Sequence, residues 1–211
     1  MFPSVTLLFV RHGQQQTEDG AIGRLSPLSE RGRLQAGLLA TELAAGPRLG
    51  AVYASPLPRA SATAAEICSR LDLVPILDTL LAEFELGTKP IAQIAERSDL
   101  LIWRSSDMGA DGETLAAFSE RVSSFCNEIV VCHGGQRIVV VAHAGTIDAA
   151  VRWALGITPA DPWQHELEVQ HASITEVEFW PHGRIVGGSP RYAVVRRVNH
   201  IVHLGDLATD L

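Results

Sequence analysis

The sequence predicts an α/β fold in which a mostly parallel central sheet carries helices on both faces. Short aliphatic and β-branched runs, such as "VTLLFV" (5–10) and "RIVVVA" (137–142), alternate along the chain with longer helical segments. Runs that are apolar throughout are typical of strands buried on both faces, and strand–helix alternation favours parallel pairing. The 211 residues contain no repeat, linker or low-complexity tract, so we expect one domain over residues 1–211.

The first helix is predicted from its start and stop signals. Ser29 is a favourable N-cap residue, and Gly46, followed by proline, ends the helical pattern. Leu34, Leu38 and Leu39 are expected to form the apolar stripe that packs on the sheet.

The remaining elements continue the alternation of strands and helices. In chain order they are a strand at 51–56, a helix at 57–72, a strand at 74–78, a helix around 90–103, a helix at 113–132, a strand at 137–145, a helix at 146–155 and a strand pair over 173–195. The stretch 87–111 is the least regular part of the chain, and we expect a helical and loop insertion there.

Charge, hydropathy and cysteine content exclude several classes of protein. The formal net charge is −7 with no block of like charge, which argues against nucleic acid as the main partner. No apolar run reaches the length of a transmembrane helix, so no membrane partner is expected. Cys68, Cys126 and Cys132 lack metal-type spacing; their odd, small number fits a reducing cytoplasm, where each is expected to be buried. The N-terminus has no basic segment and is interpreted as a strand, not as a targeting segment.

Three of the predicted strands end in residues suited to anion binding. Arg11 and His12 follow the first strand, Arg59 follows the second, and His143 follows the strand that begins at residue 137. Ligands of such sheets bind at the carboxyl ends of the strands, so these four side chains should converge. Guanidinium groups match phosphoryl oxygens, and their positive charge helps to keep a histidine neutral and nucleophilic. The residues alone therefore predict an anion or phosphate site with a candidate nucleophile.

Phosphoryl transfer from such a site also needs an acid that protonates the leaving alkoxide. The segment "LLAEFELG" (80–87) supplies Glu83 and Glu85. Only one of the two is expected to enter the pocket. The spacing leaves open which one does.

With these residues assembled, the sequence resembles the histidine phosphatase superfamily, in its phosphoglycerate-mutase-like branch. The matching segments run in order from about residue 5 to residue 204: "FVRHGQ", "LSPLSERGRLQA", "VYASPLPRASATA", "LAEFELG", "DGETLAAFSERV", "VVVAHAGTIDAAV", "ASITEVEF" and "VNHIVHL". The resemblance covers nearly the whole chain and implies the phosphoglycerate-mutase-like fold.

The resemblance implies a role for each residue of the strand ends. His12 is similar to the phosphorylated nucleophile of the family. Arg11, Arg59 and His143 would form the phosphate pocket, and the backbone of Ala144 would donate to a phosphoryl oxygen.

The same resemblance resolves the choice of acid. Glu83 stands where the family has its proton donor, which leaves Glu85 a structural role. The implied reaction transfers the phosphoryl group to His12, releases the alcohol and then hydrolyses the phosphohistidine. It implies no metal and no organic cofactor. The expected partner is a small phosphorylated substrate, and a homodimer is a further expectation.

Three positions depart from the family pattern. Many relatives carry an asparagine that reaches the phosphate a few residues after the RHG motif, near Thr17 of this chain. Ala144 stands where glycine is common, and His171 stands where asparagine is common. The side chains that could replace the missing phosphate contact are Gln14, Gln15, Gln16 and Thr17. These departures bear on the substrate and leave the core residues intact.

The sequence favours a phosphatase over three alternatives. A phosphoglycerate-mutase-type phosphotransferase is typically longer and richer in cations, whereas the 87–111 insertion is short and carries only Lys89, Arg97 and Arg104. A catalytically weak phosphate-binding protein is disfavoured because all five expected catalytic residues are present: Arg11, His12, Arg59, Glu83 and His143. A nucleotide-binding α/β protein would need a GxGxxG or GxxxxGK[ST] loop, which the sequence lacks.

Overall fold

The computed structural model describes residues 3–17, 23–85, 112–161, 163, 166–180 and 192–209. Within these residues a single sheet has the strand order β3-β2-β4-β1-β5-β6. Its strands are β1 (Val5–Arg11), β2 (Ala51–Ala54), β3 (Ile76–Leu77), β4 (Arg137–Ala142), β5 (Ile174–Trp180) and β6 (Tyr192–His200). The described helices are α1 (Glu30–Ala45), α2 (Pro58–Leu71), α3 (Leu115–Cys132) and α4 (Ala144–Ala154), with 3₁₀ turns at Thr79–Leu81 and Val202–Leu207.

The pairing of the strands confirms the mostly parallel α/β prediction. β1 pairs with β4, β4 with β2, and β2 with β3, all in parallel. β5 and β6 extend the sheet beyond β1 as antiparallel strands. Arg11 lies beside Ala142, and Ala54 lies beside Val141, so β1, β2 and β4 end at one edge of the sheet. Each of these strands leads toward a helix from that edge, which is where the predicted site residues lie.

Helices cover both faces of the sheet, as predicted, and successive side chains of β1 point to the two faces in turn. Leu8 and Val10 are buried in the cluster that α1 and α2 complete. Leu7 and Phe9 point the other way, into the cluster that contains the buried residues of α3 and α4. Because the central strands are buried on both faces, they form a rigid support for residues at their ends.

The start and end of α1 were predicted correctly, but its buried face was not. Ser29 caps the helix by accepting a hydrogen bond from the Gly32 amide. Leu39 is buried, whereas Leu34 and Leu38 are 55% and 37% exposed. The packed face combines three small residues with two leucines and one glutamine: Gly32, Gln35, Ala36, Leu39, Ala40 and Leu43. Small side chains let α1 approach α2 and the sheet closely, and Leu34 and Leu38 lie outside this packed face.

Further predictions differ from the structure in three respects, and one prediction falls on residues that the structure does not describe. The strand expected at 74–78 is reduced to Ile76–Leu77, and both residues are exposed at the sheet edge. The final strand continues to His200 and does not end at 195. Cys68 and Cys126 are buried as predicted, but Cys132 is exposed at the last position of α3. The insertion at 87–111 and its helix around 90–103 lie outside the described residues.

No helix in the described part of the chain is both long enough and apolar enough to cross a membrane.

Candidate active site

The backbone around His12 is fixed by contacts at the end of β1. The His12 amide donates to the Ala142 carbonyl at 3.0 Å, and the Gly13 amide donates to the Thr63 hydroxyl at 3.1 Å. A Cβ atom on Gly13 would lie 2.3 Å from the carbonyl oxygen of Gly32, so α1 can approach only a glycine here. The nucleophile candidate thus stands on a backbone that is held by β4, α1 and α2.

The contacts of the His12 ring define its tautomer. Nδ1 lies 2.7 Å from the Gly13 carbonyl oxygen, which can only accept, so Nδ1 carries the proton. Nε2 lies 3.0 Å from Nε of Arg59, which can only donate, so Nε2 presents its lone pair. Burial of the ring is the main cause that lowers the pKa of His12 well below its ordinary value. The electrostatic effect of His143 is the second cause, and Arg59 and Arg11 act in the same direction. His12 is therefore a neutral imidazole with its lone pair at Nε2.

The two predicted arginines lie beside this ring, each held by a backbone carbonyl. Arg59, in the first turn of α2, donates through Nη1 to the Arg24 carbonyl at 2.7 Å. Arg11 donates through Nη1 to the Val169 carbonyl at 2.5 Å. The Nε atom of Arg11 is buried and has no hydrogen-bond acceptor among the described residues. A buried donor without a partner is costly, so this group is available for an anion.

His143 forms the opposite side of the same pocket. It ends β4, precedes α4 and is buried, and its ring centroid lies 4.9 Å from that of His12. Nε2 lies 2.9 Å from the Ser55 hydroxyl, which already accepts from the Leu57 amide and can donate its proton to this nitrogen. Burial, followed by the positive charge of Arg59, lowers the pKa of His143 well below its ordinary value. Nδ1 is then the protonated nitrogen, and it has no partner within the described residues.

Glu83 is brought to the pocket by the turn that follows β3. Its Oε1 accepts from the Phe84 amide at 2.9 Å, and its Oε2 accepts from the Gly145 amide at 3.1 Å. Burial raises the pKa of Glu83 above its ordinary value, although the two amides, Arg59 and Arg11 all act in the opposite direction. A carboxyl group with a raised pKa holds its proton more readily than an exposed one and can release it in the reaction.

The amide of Ala144, the first residue of α4, belongs to the helix N-terminal groups that have no intrahelical acceptor. The structure thus brings together Arg11, His12, Arg59, Glu83, His143 and Ala144, the residues that the sequence places in the site.

A cavity of about 370 Å³ opens beside Glu83. Arg24 and Glu85 form an ion pair at its wall, so Glu85 faces a cation and not the phosphate pocket. Arg121 binds Glu113 through two hydrogen bonds of 2.6 and 2.8 Å. Arg121 also donates to the backbone of the turn that carries Glu83, at 2.7 and 2.8 Å. The cavity thus adjoins Glu83, and two ion pairs contribute to its wall.

The glutamine run after His12 divides its side chains between different surroundings. Gln14 accepts from the Ser29 hydroxyl at 3.3 Å, and Thr17 and Gln16 are exposed. Gln15 is buried, and its Oε1 atom lies 3.1 Å from Nε2 of His171.

His171 is the site residue that sequence reasoning missed. Its ring centroid lies 5.7 Å from that of His12. The only signal in the sequence is that histidine stands where the family commonly has asparagine. Among the residues that the structure describes, no three histidine, cysteine or acidic side chains are grouped so as to hold a metal ion.

The chain is similar in sequence and fold to known phosphatases and to a phosphoglycerate mutase. The sequence profile of the histidine phosphatase superfamily (branch 1) matches residues 7–188. Phosphoserine phosphatase 1 of Hydrogenobacter thermophilus is 30% identical over a gapped alignment of 219 positions, which covers 98% of this chain and 97% of that protein. A 2,3-bisphosphoglycerate-dependent phosphoglycerate mutase of Brucella anthropi is 32% identical over 181 residues, or 78% of this chain and 88% of that protein. The native structure of mycobacterial glucosyl-3-phosphoglycerate phosphatase superposes with a TM-score of 0.74 at 26% identity, over 94% of this chain and 100% of that chain.

Proposed function

The chain belongs to the histidine phosphatase superfamily (branch 1) and is a phosphoric monoester hydrolase, and from this premise we propose that it cleaves a small phosphomonoester through a phosphohistidine on His12. The observation that carries the proposal is the tautomer of His12. Its Nδ1–H donates to the Gly13 carbonyl, and its Nε2 lone pair faces Arg59. A neutral imidazole that is held in one orientation beside cations is a nucleophile already placed in an anion pocket.

Phosphate binding begins with the release of this lone pair. In the free protein Nε of Arg59 donates to Nε2 of His12. A phosphoryl oxygen is a stronger acceptor than a neutral imidazole, so the bound substrate draws the Arg59 donors toward itself. Nε of Arg11 and Nδ1 of His143 are buried donors without partners in the described residues, and they supply further contacts together with the Ala144 amide.

The reaction then proceeds in two steps, phosphoryl transfer to His12 and hydrolysis of the phosphohistidine. In the first, the Nε2 lone pair of His12 attacks phosphorus in line as the ester P–O bond breaks, and protonated Glu83 gives its proton to the leaving alkoxide. In the second, water attacks the phosphohistidine and transfers a proton to the Glu83 carboxylate. The P–N bond breaks, its electron pair returns to Nε2, and inorganic phosphate is released.

The cavity beside Glu83 supports a small polar alcohol as the leaving group. Its volume of about 370 Å³ suits a metabolite rather than a folded protein, and its wall carries both Arg24 and Glu85. Phosphoserine and glucosyl-3-phosphoglycerate, the substrates in the names of the two phosphatases above, are therefore the first compounds to test.

The decisive experiment compares wild type with His12→Ala on an aryl phosphate, with and without a chelator. We expect chelation to leave turnover unchanged and His12→Ala to lower kcat by roughly 10³-fold or more, because the variant lacks the Nε2 lone pair that attacks phosphorus in the proposed reaction. Mass spectrometry after a neutral quench should place the phosphoryl group on the peptide that contains His12. His133→Ala is the matched control, since His133 contacts Tyr53 and lies outside the pocket.

Other outcomes would replace the proposal. Phosphoryl transfer to an added alcohol in preference to water would indicate a mutase or phosphotransferase. Phosphate binding without any turnover would indicate a binding protein. Full turnover by His12→Ala, or a label on another peptide, would reject His12 as the nucleophile.

Location and assembly complete the proposal. The small, odd number of cysteines supports a cytoplasmic location. The expected homodimer stays a prediction, which size-exclusion chromatography with light scattering would check.

A further inference from the structure

The C-terminal segment 201–209 folds back onto α1 beside the site. Nε2 of Gln35 donates to the Leu207 carbonyl at 2.8 Å, and Nη2 of Arg31 donates to the Ala208 carbonyl at 2.6 Å. The Oε1 atom of the same Gln35 accepts from the Gln14 amide at 2.8 Å. One buried glutamine thus links the C-terminal segment to the loop that follows His12.

A second link runs through the loop before β5. Ala172 is fully buried and has a φ of +55°, a left-handed conformation that costs energy for any residue with a Cβ atom. Its amide donates to the Arg11 and His12 carbonyls at 2.9 and 3.2 Å. Its own carbonyl accepts from Nε2 of His203 at 3.0 Å. The surrounding contacts therefore hold this loop, at a conformational cost, against the backbone of the nucleophile.

His171 precedes Ala172 and is hydrogen-bonded on both sides of its ring. Nε2 lies 3.1 Å from Oε1 of Gln15, and Nδ1 lies 3.3 Å from the hydroxyl of Thr209. An amide oxygen can only accept, so Nε2 carries the proton and Nδ1 accepts from the Thr209 hydroxyl. Burial, followed by the charge of Arg11, lowers the pKa of His171 to about 3, so the ring stays neutral.

The direction of these hydrogen bonds decides which end of the Gln15 amide is free. Because His171 donates to the amide oxygen, the amide nitrogen keeps two N–H donors, which have no acceptor among the described residues. If Nδ1 of His171 held the proton instead, Nε2 would accept, and the amide would turn so that its oxygen became the free end. A pocket for an anion needs donors, so only the first arrangement suits substrate binding.

We propose that Thr209 and His171 are positioning residues that hold the Gln15 amide with its N–H donors free for the substrate. This inference rests on the proposed function and assigns Gln15 the phosphate contact that the family makes with asparagine. It also gives the C-terminal segment a role in the site, although Thr209 is 197 positions after His12 in the chain.

Thr209→Val tests the chain of hydrogen bonds that runs from Thr209 through His171 to Gln15, because valine keeps the shape of threonine and removes the hydroxyl. We expect kcat/KM on an aryl phosphate, and the affinity for inorganic phosphate, each to fall about fivefold, the equivalent of one neutral hydrogen bond. Thr209→Ser restores the hydroxyl and should recover most of both. Thr175→Val is the matched control: Thr175 is a buried residue of β5 whose hydroxyl accepts from the Asn199 amide, and its loss should lower Tm alone.

Two substitutions of His171 separate its two nitrogens. Glutamine places an amide nitrogen near the position of Nε2 and can still donate to Gln15, whereas asparagine reaches only the position of Nδ1. We expect His171→Gln to keep several times the kcat/KM of His171→Asn. Equal losses in these two variants would overturn the proposal.

The tautomer can be measured directly with ¹⁵N-labelled imidazole. The His171 signals of the wild type should report a proton on Nε2, and those of Thr209→Val should shift toward a mixture of tautomers. An unchanged spectrum and unchanged phosphate affinity in Thr209→Val would overturn the proposal. Neither the tautomer of His171 nor the affinity for inorganic phosphate needs turnover to be measured. An inactive wild type would therefore reject the proposed function, while these two measurements would still test the positioning roles of Thr209 and His171.

Discussion

The phosphate-binding side and the leaving-group side of the site are built in different ways. On the phosphate side, His12, Arg59 and His143 follow three neighbouring strands and are 4%, 6% and 1% exposed. On the leaving-group side, Arg24 and Glu85 come from loops, and their side chains are 46% and 38% exposed. In the proposed function, the part of the substrate that every phosphomonoester shares therefore meets the rigid sheet edge, and the part that varies meets the loops.

The two sides also differ in how their charges are balanced. The phosphate side combines Arg11 and Arg59 with neutral histidines, so it keeps a positive charge for the phosphoryl group. On the other side each of the two described arginines that line the cavity already has an anion, Arg24 with Glu85 and Arg121 with Glu113. The site thus attracts an anion at one end and a polar group at the other. Glu83 lies between the two ends, where the proposed reaction breaks the ester bond.

The largest expected effect is a pH-dependent loss of stability that originates on the phosphate side. In the folded protein the pKa values of His12 and His143 lie well below 6.5, and that of His171 is about 3. As the pH falls below 6.5, these three histidines become protonated in the unfolded chain, whereas in the folded protein their buried rings stay neutral. The free energy of unfolding should then fall by about 1.4 kcal/mol per pH unit for each ring, or up to about 4 kcal/mol per pH unit together.

Glu83 contributes with the opposite sign. Because its folded pKa is raised, its contribution to stability is lost as the pH rises from 4.5 through the folded value, which offsets at most about 1.4 kcal/mol per pH unit. Urea unfolding at pH 7.5, 6.5 and 5.5 measures how the free energy of unfolding changes with pH. His143→Gln should reduce this slope by the share of one ring, about 1.4 kcal/mol per pH unit. A protein that becomes more stable toward pH 5.5 would show that the histidines are not held neutral by the fold.

The next effect tests the boundary between the two sides. Glu83→Gln keeps the shape of the side chain but removes the proton that the leaving alkoxide needs. We expect a loss in kcat of roughly 10²- to 10⁴-fold on an alkyl phosphate, and a much smaller loss on an activated aryl phosphate. Wild-type kcat on the alkyl substrate should fall as the pH rises through the raised pKa of Glu83, and the variant should lack this decrease.

Glu120→Gln is the control for this substitution, because Glu120 is an exposed residue of α3 that does not line the cavity. It should leave the ratio of alkyl to aryl turnover unchanged. Equal losses on both substrates in Glu83→Gln would remove Glu83 from the role of acid.

The phosphate side could be predicted from the sequence because each of its residues follows a strand. An apolar run that is buried on both faces ends at a predictable edge of the sheet, so His12, Arg59 and His143 could be brought together without coordinates. Glu83 and Glu85 could not be separated by spacing alone. Only the family resemblance chose between them, and the structure places Glu83 against the Gly145 amide and Glu85 against Arg24.

The contacts around His171 could not be predicted, for physical reasons that differ from residue to residue. The left-handed conformation of Ala172 has no sequence signal, because alanine is not a residue that favours it. Thr209 reaches the site only because the 3₁₀ turn Val202–Leu207 folds back onto α1. The packed face of α1 also differs from the predicted stripe, because Leu34 and Leu38 lie outside it.

The smallest expected effect tests how accurately α4 places the acid. A Cβ atom on Gly145 would lie 2.6 Å from Oε1 of Glu83, too close for a real contact, but the carboxylate is the end of a flexible side chain and can move. Gly145→Ala should therefore displace the acid without disrupting the fold. We expect kcat on an alkyl phosphate to fall about tenfold with little change in Tm, since small displacements of a catalytic group are costly.

Gly37→Ala provides the matched control on α1, where the added Cβ atom would meet only the Glu66 carboxylate at 3.9 Å. Alanine favours a helix over glycine, so this variant should gain about 0.5–1 kcal/mol of stability and keep full activity. If Gly145→Ala also kept full activity on the alkyl phosphate, the position of Glu83 would not depend on α4. The acid would then belong to the loops of the leaving-group side and not to the rigid edge of the sheet.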